Sequence, residues 1–256
     1  GVISPTLANI TLDGMEAALM DKYCRNKKGT YNIRNNLLKV HLIRFADDFI
    51  VTAETRDAVI EAKTIIERFL KSKGLRLSET KTTITHINKG FEFLGWNFRK
   101  FNGKLIIKPS VKSIRKITQN VSEVVKNLCA NTQETLILKL NPMISGWANY
   151  HQAVCSSKIF GKLDHIVWNM LWHWAKRRHP GKSRKWICAR YWHTIGNRKW
   201  VFATNDVKFG SFRIPIVRHR TLKLDMNPYL NEEYFNKKRH IQTQMRRTAK
   251  HGVTAC

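Results

Sequence analysis

The chain has few acidic residues, few cysteines and no long apolar run, and each shortage excludes a class of protein. Its 256 residues include 18 Asp and Glu against 46 Lys and Arg, a formal net charge of +28. The five cysteines are scattered and never form a C-x-x-C pair, which argues for reduced thiols in an intracellular protein rather than disulfides or a zinc site. No apolar run approaches the roughly 20 residues of a membrane span, and no signal peptide is visible. An anionic polymer, and not a membrane, is the expected partner.

The positive charge is concentrated in the second part of the chain. Residues 1–107 carry 18 Lys and Arg against 11 Asp and Glu, whereas residues 108–256 carry 28 against 7. This asymmetry favours a polymer-binding domain attached to a more balanced one. With 43% apolar residues, the chain can bury one large core or two smaller ones.

Two adjacent carboxylates, Asp47 and Asp48, are the most informative chemical signal. They lie between two β-prone runs, residues 40–43 and 50–52, which predicts a hairpin with both carboxylates at its turn. Carboxylates clustered on a rigid turn are what a hard, oxygen-seeking ion such as Mg²⁺ requires. Because Asp is also a favoured turn residue, an Asp-Asp turn whose charges are merely solvated is the alternative.

The apolar periodicity predicts strands and helices first and a helical bundle afterwards. Helices are expected from Pro5 to about Lys22, from Thr55 to Gly74, over residues 111–128, after Asn131 or Thr132 with a disturbance near Pro142, around residues 163–174, and from Asn231 toward Lys250. Strands are expected at residues 82–87, 91–98 and 104–107, with an Asn102-Gly103 turn between the last two. This order predicts an α+β region followed by an all-α region.

Five sequence blocks follow one another along nearly the whole chain. They are residues 1–10, the hairpin at residues 45–50, residues 77–82, residues 93–96 (Phe-Leu-Gly-Trp) and residues 141–151. In this order and spacing they resemble the reverse transcriptases encoded by group II introns, and the last block resembles the signature of their maturase (X, or thumb) domain. Retron and other bacterial reverse transcriptases share the Ala-Asp-Asp hairpin, but Gly-Trp-Ala-Asn-Tyr at residues 146–150 favours the intron class.

The resemblance implies three domains. Residues 1–108 would form a partial reverse-transcriptase palm, an antiparallel sheet with flanking helices. Residues 109–200 would form the all-α maturase (thumb) bundle. Residues 201–256 would form a basic segment, for which the resemblance implies DNA binding. In the family, the fingers and the block with the first catalytic Asp precede the position of Gly1, which is not an initiator Met. We therefore expect a C-terminal piece of a longer polypeptide, or one partner of a split one, that is inactive alone.

The same resemblance implies the function: RNA-directed DNA polymerase and splicing maturase of a mobile, homing group II intron. The implied cofactor is Mg²⁺ at a two-metal site, with Asp47 and Asp48 as catalytic ligands and a further Asp from outside this chain. The implied partners are intron RNA, a DNA target and primer, dNTP, and the upstream part of the protein or a complementing chain. The expected location is intracellular and ribonucleoprotein-associated, in a bacterium rather than an organelle.

Two other functions compete with this one. An RNA-binding splicing factor without polymerase activity is the first, although a pure binder has no reason to keep two like charges adjacent. A basic nucleic-acid-binding protein of another lineage is the second.

Nucleotide or primer contacts follow from the resemblance for residues in three other blocks: Ser4, Pro5, Asn9, Lys81, Leu94 and Gly95. Gly95 would allow a close backbone approach where a side chain would obstruct. Lys81 has the alternative of a solvated surface charge, Asn9 of a helix-surface residue, and Leu94 of a core strand residue.

Basic residues alternate with aromatic ones after residue 170. The cations expected to contact RNA are Lys176, Arg177, Arg178, Lys182, Arg184, Lys185 and Arg190. Cations neutralise phosphates, and exposed aromatic rings stack on unpaired bases. Trp147, Trp168 and Trp172, however, are expected in the core. A solvated charge run is the alternative for the cations.

Overall fold

The computed structural model describes residues 3–26, 28–217, 226 and 230–252. It divides the chain into an N-terminal unit, Gly1–His86, and a C-terminal unit, Ile87–Cys256. Across the described ranges, no helix combines the length and the hydropathy that spanning a bilayer requires. The strands that follow residue 90 thus belong to the same unit as the helices that follow residue 110. The predicted three-domain organisation, with boundaries after residues 108 and 200, stays a prediction.

The N-terminal unit packs three helices against one hairpin. Its elements are α1 (Ser4–Thr11), α2 (Met15–Tyr23), β1 (His41–Phe45), β2 (Asp48–Thr52) and α3 (Arg56–Ser72). The Thr55 side chain accepts a hydrogen bond from the Ala58 amide and so caps α3, as its sequence predicts. Gly74, at φ +71°, follows the end of α3. Ala62 and Ile66 of α3 and Met15 of α2 are among the most deeply buried residues of this core.

The predicted helix from Pro5 to Lys22 is two helices. α1 ends at Thr11, and α2 begins at Met15 after Gly14, which has a φ of +86°. Glycine enters this left-handed conformation without the steric cost of a Cβ atom. The apolar period continues across the break, and for this reason the sequence pattern alone does not reveal it.

The C-terminal unit combines a three-stranded antiparallel sheet, helices and a second hairpin. Its elements are β3 (Phe91–Phe93), β4 (Trp96–Phe101), β5 (Lys104–Pro109), α4 (Val111–Asn127), α5 (Gln133–His151), α6 (Ser157–Arg178), α7 (Arg184–Tyr191), β6 (Trp192–Ile195), β7 (Arg198–Phe202) and α8 (Glu232–Gly252). The order of antiparallel strands with helices, then a mainly helical region, confirms the predicted α+β fold.

The core of the C-terminal unit lies between α4, α5 and α6. Ile117, Val121 and Val125 form the buried stripe of α4 at the four-residue spacing of one helix face. Trp174 of α6 is buried, and its indole nitrogen donates to the Leu128 carbonyl at 2.9 Å. α5 continues through Pro142, so the disturbance expected there does not interrupt the helix.

Three strand predictions need correction. Residues 82–87 form no strand, although their β-branched side chains favour one. A backbone hydrogen bond from the Lys100 amide to the Ile87 carbonyl links the end of this segment to the sheet. Residues 91–98 form two strands, separated by a Leu94-Gly95 turn at φ +48° and +77°. The β6–β7 hairpin lies inside the region that was expected to be all-α. The Asn102-Gly103 turn is confirmed.

Candidate active site and nucleic-acid interface

The two carboxylates lie at the tip of the β1–β2 hairpin. Phe45 pairs with Asp48, so Ala46 and Asp47 are the two turn residues. Ala46 has a φ of +54°. A positive φ at the first turn residue alone is the pattern of a type II′ turn, where glycine is usual. Asp47 and Asp48 are exposed. The predicted acidic hairpin is confirmed as a hairpin, and its tip has an uncommon backbone conformation.

Arg44 joins this tip to α1. Its Nη1 atom donates to the Asn9 side-chain oxygen at 2.8 Å and to the Ala46 carbonyl at 3.1 Å. Arg44 therefore links Asn9 to the carboxylate hairpin. No role was predicted for Arg44 from the sequence. The signal that was available is the position of Arg44 in the β-prone run next to the two carboxylates.

The carboxylates fit a hard cation. Within the described part of the chain, the side chains of Asp47 and Asp48 form no salt bridge and no hydrogen bond, and the Arg44 guanidinium donates to two neutral oxygens. Carboxylate oxygens are the ligands that Mg²⁺ prefers. The described residues contain no group of three or more His, Cys, Asp or Glu that could hold a metal. Asp47 and Asp48 would supply oxygen ligands to such a cation, and the described residues do not complete a site around them.

The structure describes the other residues that were predicted to contact the nucleotide only in part. Lys81 lies in an exposed turn, whose amides at Lys81 and Thr82 donate to the Ser78 carbonyl at 3.2 and 2.9 Å. No hydrogen bond or ion pair among the described residues links Lys81 to the hairpin. Ser4 and Pro5 begin the backbone of α1, but their side chains lie outside the described residues.

The Leu94-Gly95 turn is held by residues of α4 and α5. The Tyr150 hydroxyl donates to the Leu94 carbonyl at 2.7 Å, and the Ser110 amide donates to the Gly95 carbonyl at 2.9 Å. A Cβ atom added to Gly95 would meet Ser113 at 3.8 Å, an ordinary contact. Glycine is required here by its φ of +77° rather than by the close approach that the sequence analysis expected.

His151 is the buried centre of a polar network behind this turn. Its Nδ1 atom accepts a hydrogen bond from the Trp96 indole at 2.9 Å. Because an indole only donates, the proton of the neutral ring is on Nε2, which faces the Ser113 hydroxyl at 3.2 Å. Trp147 also donates to this hydroxyl, at 3.1 Å. Burial lowers the pKa of His151 to about 4.

Tyr150 and His151 are functional candidates that the sequence analysis missed. Both lie in the recognised block at residues 141–151, but the pattern gave no sign that they reach back to the block at residues 93–96. Their contacts join residues of these two blocks that are 55 and 56 positions apart in the sequence.

The predicted RNA-binding cations lie at the end of α6, in the loop after it and in α7. A cavity of about 550 Å³ opens there. Its lining residues are Val125, Cys129, Ala130, Trp174, Arg177, Arg178, His179, Arg190 and Tyr191. None of the seven predicted cations forms a salt bridge within the described residues. The face therefore presents uncompensated positive charge, as phosphate binding requires.

Arg178 differs from the other cations. Its Nη1 atom donates to the carbonyls of Cys129 and Asn131 at 2.8 and 2.7 Å. Its guanidinium also lies 4.6 Å from the centre of the Trp174 ring. Arg178 therefore links the loop after α4 to α6. The basic sequence alone does not show whether an arginine has this structural role or binds phosphate.

The tryptophans range from buried through partly buried to exposed. Trp168 and Trp172 stack at 5.8 Å, and both contact the buried Trp192. Trp147 packs edge-on against Phe160 and Phe212. Trp147, Trp168 and Trp172, which were expected in the core, are partly buried and pack against it. Exposed indoles occur instead at Trp186 and Trp200.

Comparison with known proteins covers both units. Residues 1–98 match the reverse transcriptase (RNA-dependent DNA polymerase) family, and residues 114–192 match the maturase-specific domain of group II introns. The chain belongs to the group II intron reverse transcriptase/maturase family. The carboxylate hairpin falls in the first match, and the helices α5 and α6 fall in the second.

Curated relatives are similar over parts of the chain. The Ribosomal operon-associated A protein of Euglena longa is 27% identical over 141 residues, which are 54% of this chain and 27% of that protein. Protein YkfC of Escherichia coli (strain K12) is 33% identical over an alignment of 117 residues, and the alignment covers 37% of this chain and 30% of that protein. The Ribosomal operon-associated A protein of Euglena gracilis is 35% identical over 54 residues, 21% of this chain and 10% of that protein. The chain thus spans less than a third of the length of these relatives.

Proposed function

We propose that this chain supplies the carboxylate hairpin and the maturase domain of an RNA-directed DNA polymerase that also assists the splicing and homing of a group II intron. The observation that carries the proposal is a tethered hairpin whose two carboxylates form no salt bridge with a described residue, in one chain with a maturase-specific domain whose cations form none with a described residue either. The protein acts inside a bacterial cell, bound to intron RNA, and takes dNTP, a primer and a DNA target as partners.

Asp47 is the principal metal ligand in this proposal, and Asp48 is a second ligand or support. An Asp from outside residues 1–256, on the upstream part of the same protein or on a complementing chain, completes the set. Bound Mg²⁺ would activate the primer hydroxyl and neutralise charge on the leaving pyrophosphate. Arg44 and Asn9 fix the hairpin tip, because Arg44 ties the Ala46 carbonyl to α1.

Substrate contacts come from both units. In this proposal Ser4, Pro5, Asn9 and Lys81 contact the nucleotide, and the turn formed by Leu94 and Gly95 contacts the primer strand. Lys81 is exposed and carries its ammonium into solvent, where a phosphate can reach it. These assignments rest on the resemblance of the sequence blocks.

Intron RNA binds to the cations at the end of α6 and on α7. Arg177, Arg184 and Lys185 are exposed, and no acidic side chain of the described residues pairs with them. The contacts are to phosphates and are independent of sequence. Arg178 contributes its positive charge, while its hydrogen bonds hold the surface in shape.

The test is primer extension by the full-length protein with Mg²⁺. Asp47→Ala is expected to abolish RNA-templated DNA synthesis and to leave intron RNA affinity unchanged, because loss of a metal ligand costs rate far more than affinity for a polymer held at many phosphates. Asp57→Ala is the control, since Asp57 is an exposed carboxylate on the first turn of α3. Wild-type synthesis by Asp47→Ala would refute the proposal. Intron RNA binding without synthesis in any variant, the wild type included, would favour the splicing factor that lacks polymerase activity.

A further inference from the structure

The maturase signature reaches the turn that lies between β3 and β4. Tyr150, near the end of α5, donates its hydroxyl hydrogen to the Leu94 carbonyl at 2.7 Å. Its ring stacks on Trp96 with a centre-to-centre distance of 5.2 Å and an angle of 26°. The turn and α5 are therefore joined by one hydrogen bond and one ring contact.

Both carbonyls of this turn are occupied by protein donors. Tyr150 occupies the Leu94 carbonyl and the Ser110 amide occupies the Gly95 carbonyl. Within the described residues, no hydrogen bond uses the amide of Leu94 or of Gly95. The turn is thus fixed through its acceptors, and its donors stay available to an anionic ligand such as a phosphate of a nucleic-acid strand.

A buried network fixes the Trp96 ring on which Tyr150 stacks. His151 is 1% exposed and accepts the Trp96 indole hydrogen bond. The Ser113 hydroxyl, which also receives the Trp147 indole hydrogen bond, holds the opposite side of the His151 ring. α4 and α5 therefore control the orientation of Trp96, and through it the position of Tyr150.

The Tyr150 contact is better suited to positioning than to stability. Tyr150 is 49% exposed, and a hydrogen bond open to water adds little to folding because water replaces it when it is lost. The same bond nevertheless sets where the Leu94 carbonyl lies, since the turn projects beyond the paired residues Phe93 and Trp96.

We propose that Tyr150 is a positioning residue for the primer strand, and that His151 acts through Trp96 to hold it. Tyr150 fixes the Leu94-Gly95 turn so that its free amides meet a phosphate near the primer end. This assignment rests on the proposed function, because it takes the turn as the primer support of a DNA polymerase.

The experiment compares Tyr150→Phe with Tyr23→Phe in the full-length protein. Phenylalanine keeps the ring contact with Trp96 and removes the hydrogen bond to Leu94. Tyr23 is a matched control, because its hydroxyl donates to Glu61 at 2.9 Å in the N-terminal unit. We expect Tyr150→Phe to raise the KM for primer–template about two- to tenfold, the range for one lost hydrogen bond, and to leave the KM for dNTP and the intron RNA affinity unchanged. Tyr23→Phe should leave all three unchanged.

A second variant tests the same chain of contacts at another residue, so that the result does not depend on the folding of one variant. Trp96→Phe keeps an aromatic ring and removes the donor to His151, so it should raise the KM for primer–template in the same direction. An unchanged KM for primer–template in both variants would overturn the inference. Equal rises in the KM for primer–template and for dNTP would also overturn it, because they would indicate a general structural defect.

The inference and the proposed function fail in different ways. Synthesis that survives Asp47→Ala would refute the polymerase assignment itself. Synthesis that is lost in Asp47→Ala but shows a normal primer KM in Tyr150→Phe would leave that assignment intact and remove only the role of Tyr150.

Discussion

The two units differ in how many of their charged side chains form salt bridges. Among the described residues, the N-terminal unit forms four salt bridges, Lys22–Glu61, Arg25–Asp21, Lys39–Glu54 and Lys63–Glu67. The C-terminal unit forms one, Lys112–Glu92, although residues 87–256 carry 32 Lys and Arg against 8 Asp and Glu. Within the described residues, the first unit pairs four of its ten carboxylates, and Asp47 and Asp48 are among the unpaired ones. In the second unit, none of the seven predicted RNA-binding cations forms a salt bridge with a described residue. This difference separates a candidate metal site from a candidate phosphate-binding surface.

The cores differ as well. The described core of the C-terminal unit includes large buried side chains such as Trp174, Phe160 and Phe212. The core of the N-terminal unit is smaller, and α1 leaves Leu7 and Ile10 exposed at 57% and 67%. The candidate chemistry is therefore supported by the smaller core, and the candidate RNA surface by the larger one. All eight tryptophans lie after residue 86, so tryptophan fluorescence follows the C-terminal unit alone.

The largest expected effect is on the larger core. Trp174→Ala should lower the free energy of unfolding of the C-terminal unit by about 3–5 kcal/mol, through lost burial and the cavity left behind. Trp186→Ala, at an indole that is 39% exposed, should change it by less than about 1 kcal/mol. Urea unfolding followed by tryptophan fluorescence measures both. Equal losses in the two variants would contradict the placement of this core.

The second effect is a loss of stability in acid. The pKa of His151 is lowered to about 4, whereas an unfolded histidine takes up its proton near its ordinary value of about 6.5. The unfolded state therefore binds more protons between these values, and the C-terminal unit should lose up to about 3 kcal/mol as the pH falls from 6.5 to 4.

Urea unfolding at several pH values, again followed by tryptophan fluorescence, tests this dependence. His151→Gln should start less stable and show a flatter profile over the same pH range. His173→Gln, at an exposed position on α6, should keep the wild-type profile. A wild-type stability that does not change between pH 6.5 and 4 would contradict the buried, neutral His151.

The third effect concerns the unpaired cations. Changing Arg177, Arg184 and Lys185 together to Gln should flatten the log–log dependence of intron RNA affinity on salt by about two units, since each phosphate contact contributes about 0.7 to 0.9. Arg178 is left intact, because its removal would free the carbonyls of Cys129 and Asn131. Filter binding between 50 and 300 mM salt gives the slope.

A matched control removes the same charge from the N-terminal unit. Lys22, Lys39 and Lys63 are paired with carboxylates, so changing all three to Gln should leave the slope unchanged. An equal flattening of the salt dependence in both triple variants would mean that RNA affinity depends only on the net charge of the protein. The unpaired cations of the C-terminal unit would then have no special role in RNA binding.

The smallest effect is expected from a paired charge. The Lys39–Glu54 salt bridge is 3.2 Å long and its side chains are 68% and 51% exposed. A double-mutant cycle with Lys39→Gln and Glu54→Gln should give an interaction energy of about 0.2–1 kcal/mol. Hydrogen exchange of the β1 and β2 amides measures the stability of the N-terminal unit. A coupling well above this range would show that the pairing of charges stabilises the smaller core.

Local features of the fold could be predicted from the sequence, because their causes are local. The start of α3 at Thr55, its end before Gly74 and the Asn102-Gly103 turn each depend on a few neighbouring residues. The acidic hairpin was predictable for the same reason. The turns at Ala46 and Leu94 were harder, since both place a residue other than glycine at positive φ, a conformation that the surrounding structure must enforce.

The long-range contacts could not be predicted. Tyr150 meets the carbonyl of a residue 56 positions away, and Arg44 meets a residue 35 positions away. Periodicity shows which face of an element is apolar, but it does not show which polar atom lies opposite. The distinction between Arg178 and its neighbours is of this kind, because only the fold brings the Cys129 and Asn131 carbonyls to its guanidinium.

The most direct test measures DNA synthesis and intron RNA affinity together in the full-length protein. Asp47→Ala is predicted to lose RNA-templated synthesis and keep RNA affinity. The triple variant at Arg177, Arg184 and Lys185 is predicted to lose RNA affinity and keep synthesis on a saturating primer–template. Synthesis that persists in Asp47→Ala, or RNA affinity that falls equally in both variants, would contradict the account.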